Sequence, residues 1–203
     1  MENKIKEHPT EDYRGLTLYQ IMVGSFIHSE NGSEGYSAMW GPDNETKDGN
    51  LRGVIEALPH VASLGANAIW LTPIFDSTGA EGGEKLQASG YFAKDYFAID
   101  PHFGTEDDLR ELVETAHKMG MYVILDGVFG HHGGVDKASP GGNFIDSTAT
   151  VNERGEEGNV KFPESLEYFK EVATYWIDKF EIDGWRLDQA YQLCQDGHNY
   201  WCD

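Results

Sequence analysis

Asp188 and Arg186 stand two positions apart in the run GWRLDQA, residues 184–190. In a β-strand alternate side chains point the same way, so the carboxylate and the guanidinium share a face. A cation beside a carboxylate favours its charged form. That suits a nucleophile or an electrostatic stabiliser rather than a proton donor. On spacing alone a structural reading carries equal weight: an aspartate capping the next helix, with an ordinary ion-paired arginine.

Asp126 and His131 close a second apolar run, MYVILDGVFGHH, residues 121–132. Asp126 can receive Arg186 from a neighbouring strand, which would fix the guanidinium and hold Asp188 in place. His131 can donate a hydrogen bond to a ligand hydroxyl. Taken alone, a His-His pair in a Gly-rich loop reads better as a surface turn or a weak metal site. Residues 89–105 are dense in aromatics. Core packing accounts for Phe97, Ile99 and Phe103, whereas Tyr91, beside Gly90, is placed to stack on the apolar face of a sugar ring. Residues 43–50, DNETKDGN, loosely imitate an oxygen-rich cation loop. They lack the spacing and terminal Glu of a full calcium loop, so a solvated turn is the expectation.

These residues need elements to hold them, and strand-like and helix-like segments alternate along the chain. Residues 18–26, 66–73, 121–129 and 181–190 are the strand candidates. Helical spacing over 50–65 uses Leu51, Val54, Ile55, Leu58 and Ala62, with Gly65 as the stop. Residues 105–120 form a second helix, capped by Thr105 with Asp108 and ended by Gly120. Pro163 is expected to open a third, whose buried face runs from Leu166 to Phe180. The Gly-rich stretch 131–162 has no clear period, and loops of that size are usually functional or small subdomains. Near-continuous apolar strands joined by helices argue for a parallel sheet with helices outside. A doubly wound sheet and part of a barrel both remain open at this point. Neither GxGxxG nor GxxxxGK[ST] occurs, so nucleotide-binding versions lack support.

Composition narrows the function classes. The 203 residues carry 35 Asp plus Glu against 15 Lys plus Arg, a formal charge of −20. Nucleic acid and anionic membrane are therefore poor partners, since phosphate binding needs clustered cations. At 39% hydrophobic the chain can fill a core, and no apolar run approaches the roughly 18 residues of a membrane span. The polar start at residues 1–15 shows no export signal, so a cytoplasmic location is the expectation. Cys194 and Cys202 are eight apart. On a helix they would lie about 12 Å apart along the axis, too far for a disulfide, and two reduced thiols are expected.

Together the runs resemble the α-amylase family of glycoside hydrolases and transglycosylases, along nearly the whole chain. YQIMVGSF is similar to the family's first strand, and LRGVIEALPHVASLGANAIWLTPIF to its first helix and second strand. GYFAKDYFAIDPHFGTEDDLRELVETAHKMGMYVILDGVFGHH covers the next unit with its Asp–His motif, and GWRLDQA resembles the Arg-x-Asp motif of strand four. The resemblance implies an α/β fold of the (β/α)8 TIM-barrel family, here about the first four βα units. Residues 1–203 would be a partial catalytic barrel domain, with 131–162 a reduced insertion after strand three. By motif, Asp188 matches the catalytic nucleophile and Arg186 its partner. Tyr91 matches the stacking tyrosine, His131 a substrate-binding histidine, and Asp126 the aspartate bracing the arginine. The implied reaction is retaining cleavage of α-glucosidic bonds in an α-glucan or small glucoside, through a covalent glycosyl intermediate.

Departures from the family pattern set further expectations. The position before His131 often holds an Asn that ligates calcium, and here it is Gly130, so the usual structural calcium is weakly supported. The Lys-His pair common after the nucleophile is replaced by Tyr191 and Gln192, and a frequent His by Ser89. The family's acid/base glutamate belongs to strand five and its transition-state aspartate to strand seven. A barrel typically needs about 250 residues. The expectation is an N-terminal fragment, inactive alone, whose open sheet edges invite self-association. The alternatives are a trehalose- or sucrose-type transglycosylase or isomerase, and a non-catalytic amylase-like scaffold.

Overall fold

Four short apolar runs pair side by side in the computed structural model, which describes residues 13–37, 48–80, 83–148 and 158–202. They are β1 (Leu18–Ile21), β2 (Ala68–Leu71), β3 (Tyr122–Gly127) and β4 (Gly184–Leu187). All neighbours are parallel, in the order β1-β2-β3-β4. A doubly wound sheet reverses its order at a switch point. Strictly sequential order is instead the winding of a (β/α)8 barrel, so the fold is a partial barrel.

Register explains which residues face where. Gln20, Trp70, Ile124 and Gly184 lie in one row across the sheet. Period-two alternation puts Asp126 and Arg186 on that same side. The opposite side carries Ile21, Ile69, Leu71, Val123 and Leu125, all buried, under the helices. Helix α1 (Leu51–Ser63) turns Leu51, Val54, Leu58 and Val61 inward; α2 (Glu106–Lys118) turns Leu109, Leu112, Val113 and Ala116. Helix α3 (Leu166–Phe180) adds Tyr168, Phe169, Val172, Trp176 and Phe180.

Helix starts follow their caps. Asn50 Oδ1 accepts from the Gly53 N–H at 2.8 Å, and Thr105 forms a complete capping box with Asp108. Gly65 and Gly120 take positive φ beyond the helix ends. Three expectations need correction. Pro163 does not open α3; it lies in the preceding turn, and the helix begins at Leu166. The 43–50 segment lies mostly outside the described residues, but its end is no solvated turn. Asp48 and Asn50 are buried, because Asn50 caps α1 while its Nδ2 donates to the Ser29 and Ser33 carbonyls, both at 2.8 Å. Residues 194–202 do not form one helix; a single 3-10 turn, Tyr200–Cys202, follows a hairpin. Cys194–Gln195 pairs antiparallel with His198–Asn199, around Asp196 and Gly197, both at positive φ. Asp-Gly is a strong hairpin signal, so the axial spacing expected of a helix does not apply. Both cysteines are free and exposed.

Two excursions leave the strand ends. Between β2 and α2, Phe75–Asp76 pairs with Asp95–Ile99, enclosing the short helix Glu84–Ser89. After β3, His131–His132 pairs with Gly158–Asn159. The Tyr96 hydroxyl sits between the carbonyls of Val128 and His131, at 2.6 and 2.7 Å, and fixes this exit. Trp176 in turn donates to the Tyr96 carbonyl at 2.8 Å. Among the described residues no helix is long and apolar enough to cross a membrane.

Candidate active site

Asp126 and Arg186 are direct register partners across the β3–β4 ladder. Arg186 Nη1 donates to Asp126 Oδ1 at 2.9 Å and Oδ2 at 3.1 Å, and to Asp188 Oδ1 at 2.7 Å. One nitrogen thus bridges both carboxylates. Asp188 follows directly after β4, its N–H donating to the Gly127 carbonyl at 3.1 Å. The three residues singled out in the two strand motifs therefore meet at the C-terminal ends of the strands, where barrels place their ligands.

Two more donors close around Asp126. Trp70 Nε1 and the Tyr91 hydroxyl each reach Oδ2 at 3.1 Å. The Arg186 guanidinium also lies over the Trp70 ring, 4.6 Å from its centroid, a cation–π contact. Tyr91 enters through Gly90, where φ is +79° and an added Cβ would stand 2.0 Å from the Pro73 carbonyl oxygen. Only glycine permits that approach.

Electrostatics follow from this packing. Burial raises the Asp126 pKa above the usual carboxylate value, although the Arg186 and Trp70 hydrogen bonds pull it down. Every neighbouring group donates, which a charged, acceptor-only carboxylate satisfies, so we assign the ionised form. Burial works against the Arg186 charge, but Asp126 and then Asp188 hold its pKa above the usual range. Burial, then Asp126, raises the Tyr91 phenol, which stays a donor. Fully buried and held by Arg186, Trp70 and Tyr91, Asp126 is a brace with no exposed surface to offer a substrate. Asp188 has one oxygen in the Arg186 contact and retains partial exposure, 13% of its side chain.

His131 is buried beside this group. Its Nδ1–H donates to Gln192 Oε1 at 3.0 Å, and its ring leans on Phe92. His132 is buried as well: its Nδ1 accepts from the Gly134 and Val135 N–H groups at 3.0 Å, and its Nε2 has no partner. Burial, then His131, pushes its pKa down to about 4. The other carboxylates near strand four serve packing. Asp183 accepts from Val123 N–H and His117 Nε2 at 2.7 and 2.8 Å, and Glu181 ends α3 in the left-handed region. Among the described residues no group of three or more His, Cys, Asp or Glu is placed to hold a metal.

Trp70 was not singled out from the sequence, although a signal existed. It occupies the same strand parity as the polar positions facing the site, and a polar-tipped aromatic there needs a partner. Gln192 was noted only as a departure, and its bond to His131 needed coordinates.

A family model described as the alpha amylase catalytic domain matches residues 20–140. A cyclomaltodextrinase from a Bacillus species is 33% identical over 91% of this chain and 36% of its own length. An intracellular maltogenic amylase from Bacillus subtilis strain 168 is 34% identical, over 93% of this chain and 34% of its own. Among solved structures, that of AmyP in complex with maltose superposes with a TM-score of 0.75 at 46% identity, covering 90% of this chain and 35% of the other. The chain spans about a third of the length of the relatives it matches.

Proposed function

Because the chain belongs to the α-amylase family, we propose that Asp188 is the nucleophile in retaining cleavage of α-glucosidic bonds, within an α-glucan-processing enzyme. The observation that carries this reading is the single Arg186 nitrogen shared by Asp126 and Asp188. It fixes one oxygen of the Asp188 carboxylate at a strand end, and attack on an anomeric carbon requires a nucleophile held in position. The names of the relatives, a cyclomaltodextrinase and a maltogenic amylase, and the maltose of the AmyP complex favour an α-glucan substrate.

The division of labour follows from the contacts. Asp188 attacks the anomeric carbon, the bond to the leaving oxygen breaks, and a glycosyl ester forms on Asp188. Arg186 orients the attacking oxygen, while Asp126 and Trp70 keep Arg186 from turning away. Tyr91, anchored by its hydroxyl, offers a ring to stack on the sugar, and His131 a ring nitrogen to a hydroxyl. Residues 131–162 are assigned by the resemblance as the reduced insertion after β3. Retention needs a second carboxyl about 5–5.5 Å from the nucleophile, acting as acid and then base. Asp126 cannot fill that role, since donors enclose it. The resemblance assigns the acid/base to a later strand, so the 203-residue chain alone is expected not to turn over glucosides. Losing acid/base catalysis typically costs about 10²–10⁴-fold.

A ring-fluorinated α-glucosyl fluoride separates the nucleophile from the acid, because fluoride leaves without protonation. In this chain, or in any longer form containing it, mass spectrometry is expected to find the adduct on the peptide carrying Asp188. Labelling elsewhere, or unchanged labelling of Asp188→Asn, would overturn the assignment.

A further inference from the structure

Three segments meet beside His131: the β3 exit at Gly130, the far end of the insertion at Val160 and Phe162, and the loop after β4. The backbone joins the first two, with Val160 N–H donating to the Gly130 carbonyl at 3.0 Å. Two glutamines join the third. Gln195 Nε2 donates to the Val160 carbonyl at 2.8 Å and to the Gln192 carbonyl at 3.0 Å, and its Oε1 accepts from the Phe162 N–H at 3.1 Å. Gln192 Oε1 accepts from His131 Nδ1–H at 3.0 Å. A carboxamide carries a donor and an acceptor on one head, so Gln195 pairs with the 160–162 backbone much as a strand would.

In the family that the chain resembles, the position of Gly130 often holds an Asn that ligates calcium, so the resemblance supports such an ion only weakly here. The residues present do not fit one. A Cβ added to Gly130 would stand 2.4 Å from both Cβ and Oε1 of Gln192, so Gln192 fills the space such a ligand would take. Calcium needs six to eight oxygens. Here the Gln195 and Gln192 oxygens already accept hydrogen bonds, and two N–H donors, of Phe162 and Gln195, point into the junction.

We propose that Gln192 and Gln195 form a cation-independent clamp that ties the loop after β4 to the insertion and positions His131. The clamp stands on these contacts whether or not the chain cleaves glucosides. Gln192 is a positioning residue, acting through the His131 ring, and Gln195 holds the loop that carries it.

Thermal unfolding of the unaltered chain in calcium chloride and in EDTA tests the first half. The two transitions are expected to coincide. A rise of about 5–10 °C, which a cation at a hundredfold its Kd would give a chain of this size, would overturn the proposal. Gln195→Met and Gln192→Met keep the side-chain length but remove the polar head, and each is expected to lower the Tm by at least roughly 2–4 °C. Nitrogen-15 NMR of the His131 ring supplies a readout that general destabilisation would not move. The unaltered chain should hold its proton on Nδ1, and Gln192→Met should release that preference while Gln195→Glu does not. An unchanged tautomer in Gln192→Met, or no loss of Tm in either Met variant, would overturn the clamp. If a variant does not fold, the unaltered chain still decides both halves: the calcium comparison tests cation independence, and a ring proton on Nε2 rather than Nδ1 of His131 would overturn the positioning role.

Discussion

Asp126 and Arg186 face each other as register partners across the β3–β4 ladder, with Arg186 Nη1 2.9 Å from Asp126 Oδ1. Asp126 is fully buried, and its charge is met from three sides by Arg186, Trp70 and Tyr91. Removing one partner of a buried ion pair typically costs about 3–5 kcal/mol, because the other charge is left uncompensated. Arg186 is 36% exposed and recovers some hydration, so Asp126→Asn is expected to cost roughly 3 kcal/mol. The new amide would also oppose at least one of the N–H and O–H donors. Urea unfolding measures this, and a loss below about 1 kcal/mol would mean that the brace contributes little.

Trp70 makes two separable contacts: an N–H to Asp126 at 3.1 Å and a ring face under Arg186 at 4.6 Å. Trp70→Phe keeps an aromatic face and removes the donor, for an expected loss of about 1–2 kcal/mol. Trp70→Leu removes both, adding roughly 0.5–1 kcal/mol. A double-mutant cycle with Asp126→Asn should show that the first loss depends on Asp126. Additive losses would place the contribution of Trp70 in packing alone.

The elements of this fold were readable because their signals are local. The capping box of Thr105 and Asp108, the stop at Gly65 and the alternation of Arg186 and Asp188 each depend on residues within a few positions of one another. Of the non-local pairings, only the one between Asp126 and Arg186 was readable, from the two strand motifs. That Trp70 and Tyr91 also converge on Asp126 depends on strand register and on the path of a long excursion, neither of which a single sequence states. The same holds for Gln192, whose importance lies in the space that Gly130 leaves. One local signal was passed over: Asp196-Gly197, which makes a hairpin where a helix was assumed.

β1 and β4 are the outer strands of the described four-stranded sheet, and Leu18 on β1 is 51% exposed. Unpaired parallel edges present N–H and C=O groups to any similar edge. The 203-residue chain is therefore expected to self-associate, with a mass that rises with concentration in light scattering. Leu18→Lys, a charge on the edge, should reduce that rise. A stable monomer across the accessible concentrations would contradict the edge argument.

His132 gives the chain a pH dependence whose sign can be worked out. Burial and then His131 push its folded pKa down to about 4, from the 6.5 usual for an imidazole. The unfolded chain therefore takes up the proton first as pH falls. The stabilising effect is fully present above about pH 6.5 and is lost progressively toward pH 4, reaching at most about 3 kcal/mol. Between pH 6.5 and 5, before most carboxylates titrate, about 2 kcal/mol should be lost, or roughly 4–8 °C in Tm. Asn in place of His132 can still accept from the Gly134 and Val135 N–H groups, which now donate to Nδ1, and it carries no titrating ring. Subtracting the Tm profile of His132→Asn from that of the unaltered chain isolates this residue from the other histidines. The difference should slope upward with pH across that window and flatten above it. A flat difference would mean that the ring is protonated as readily in the folded chain as in the unfolded one.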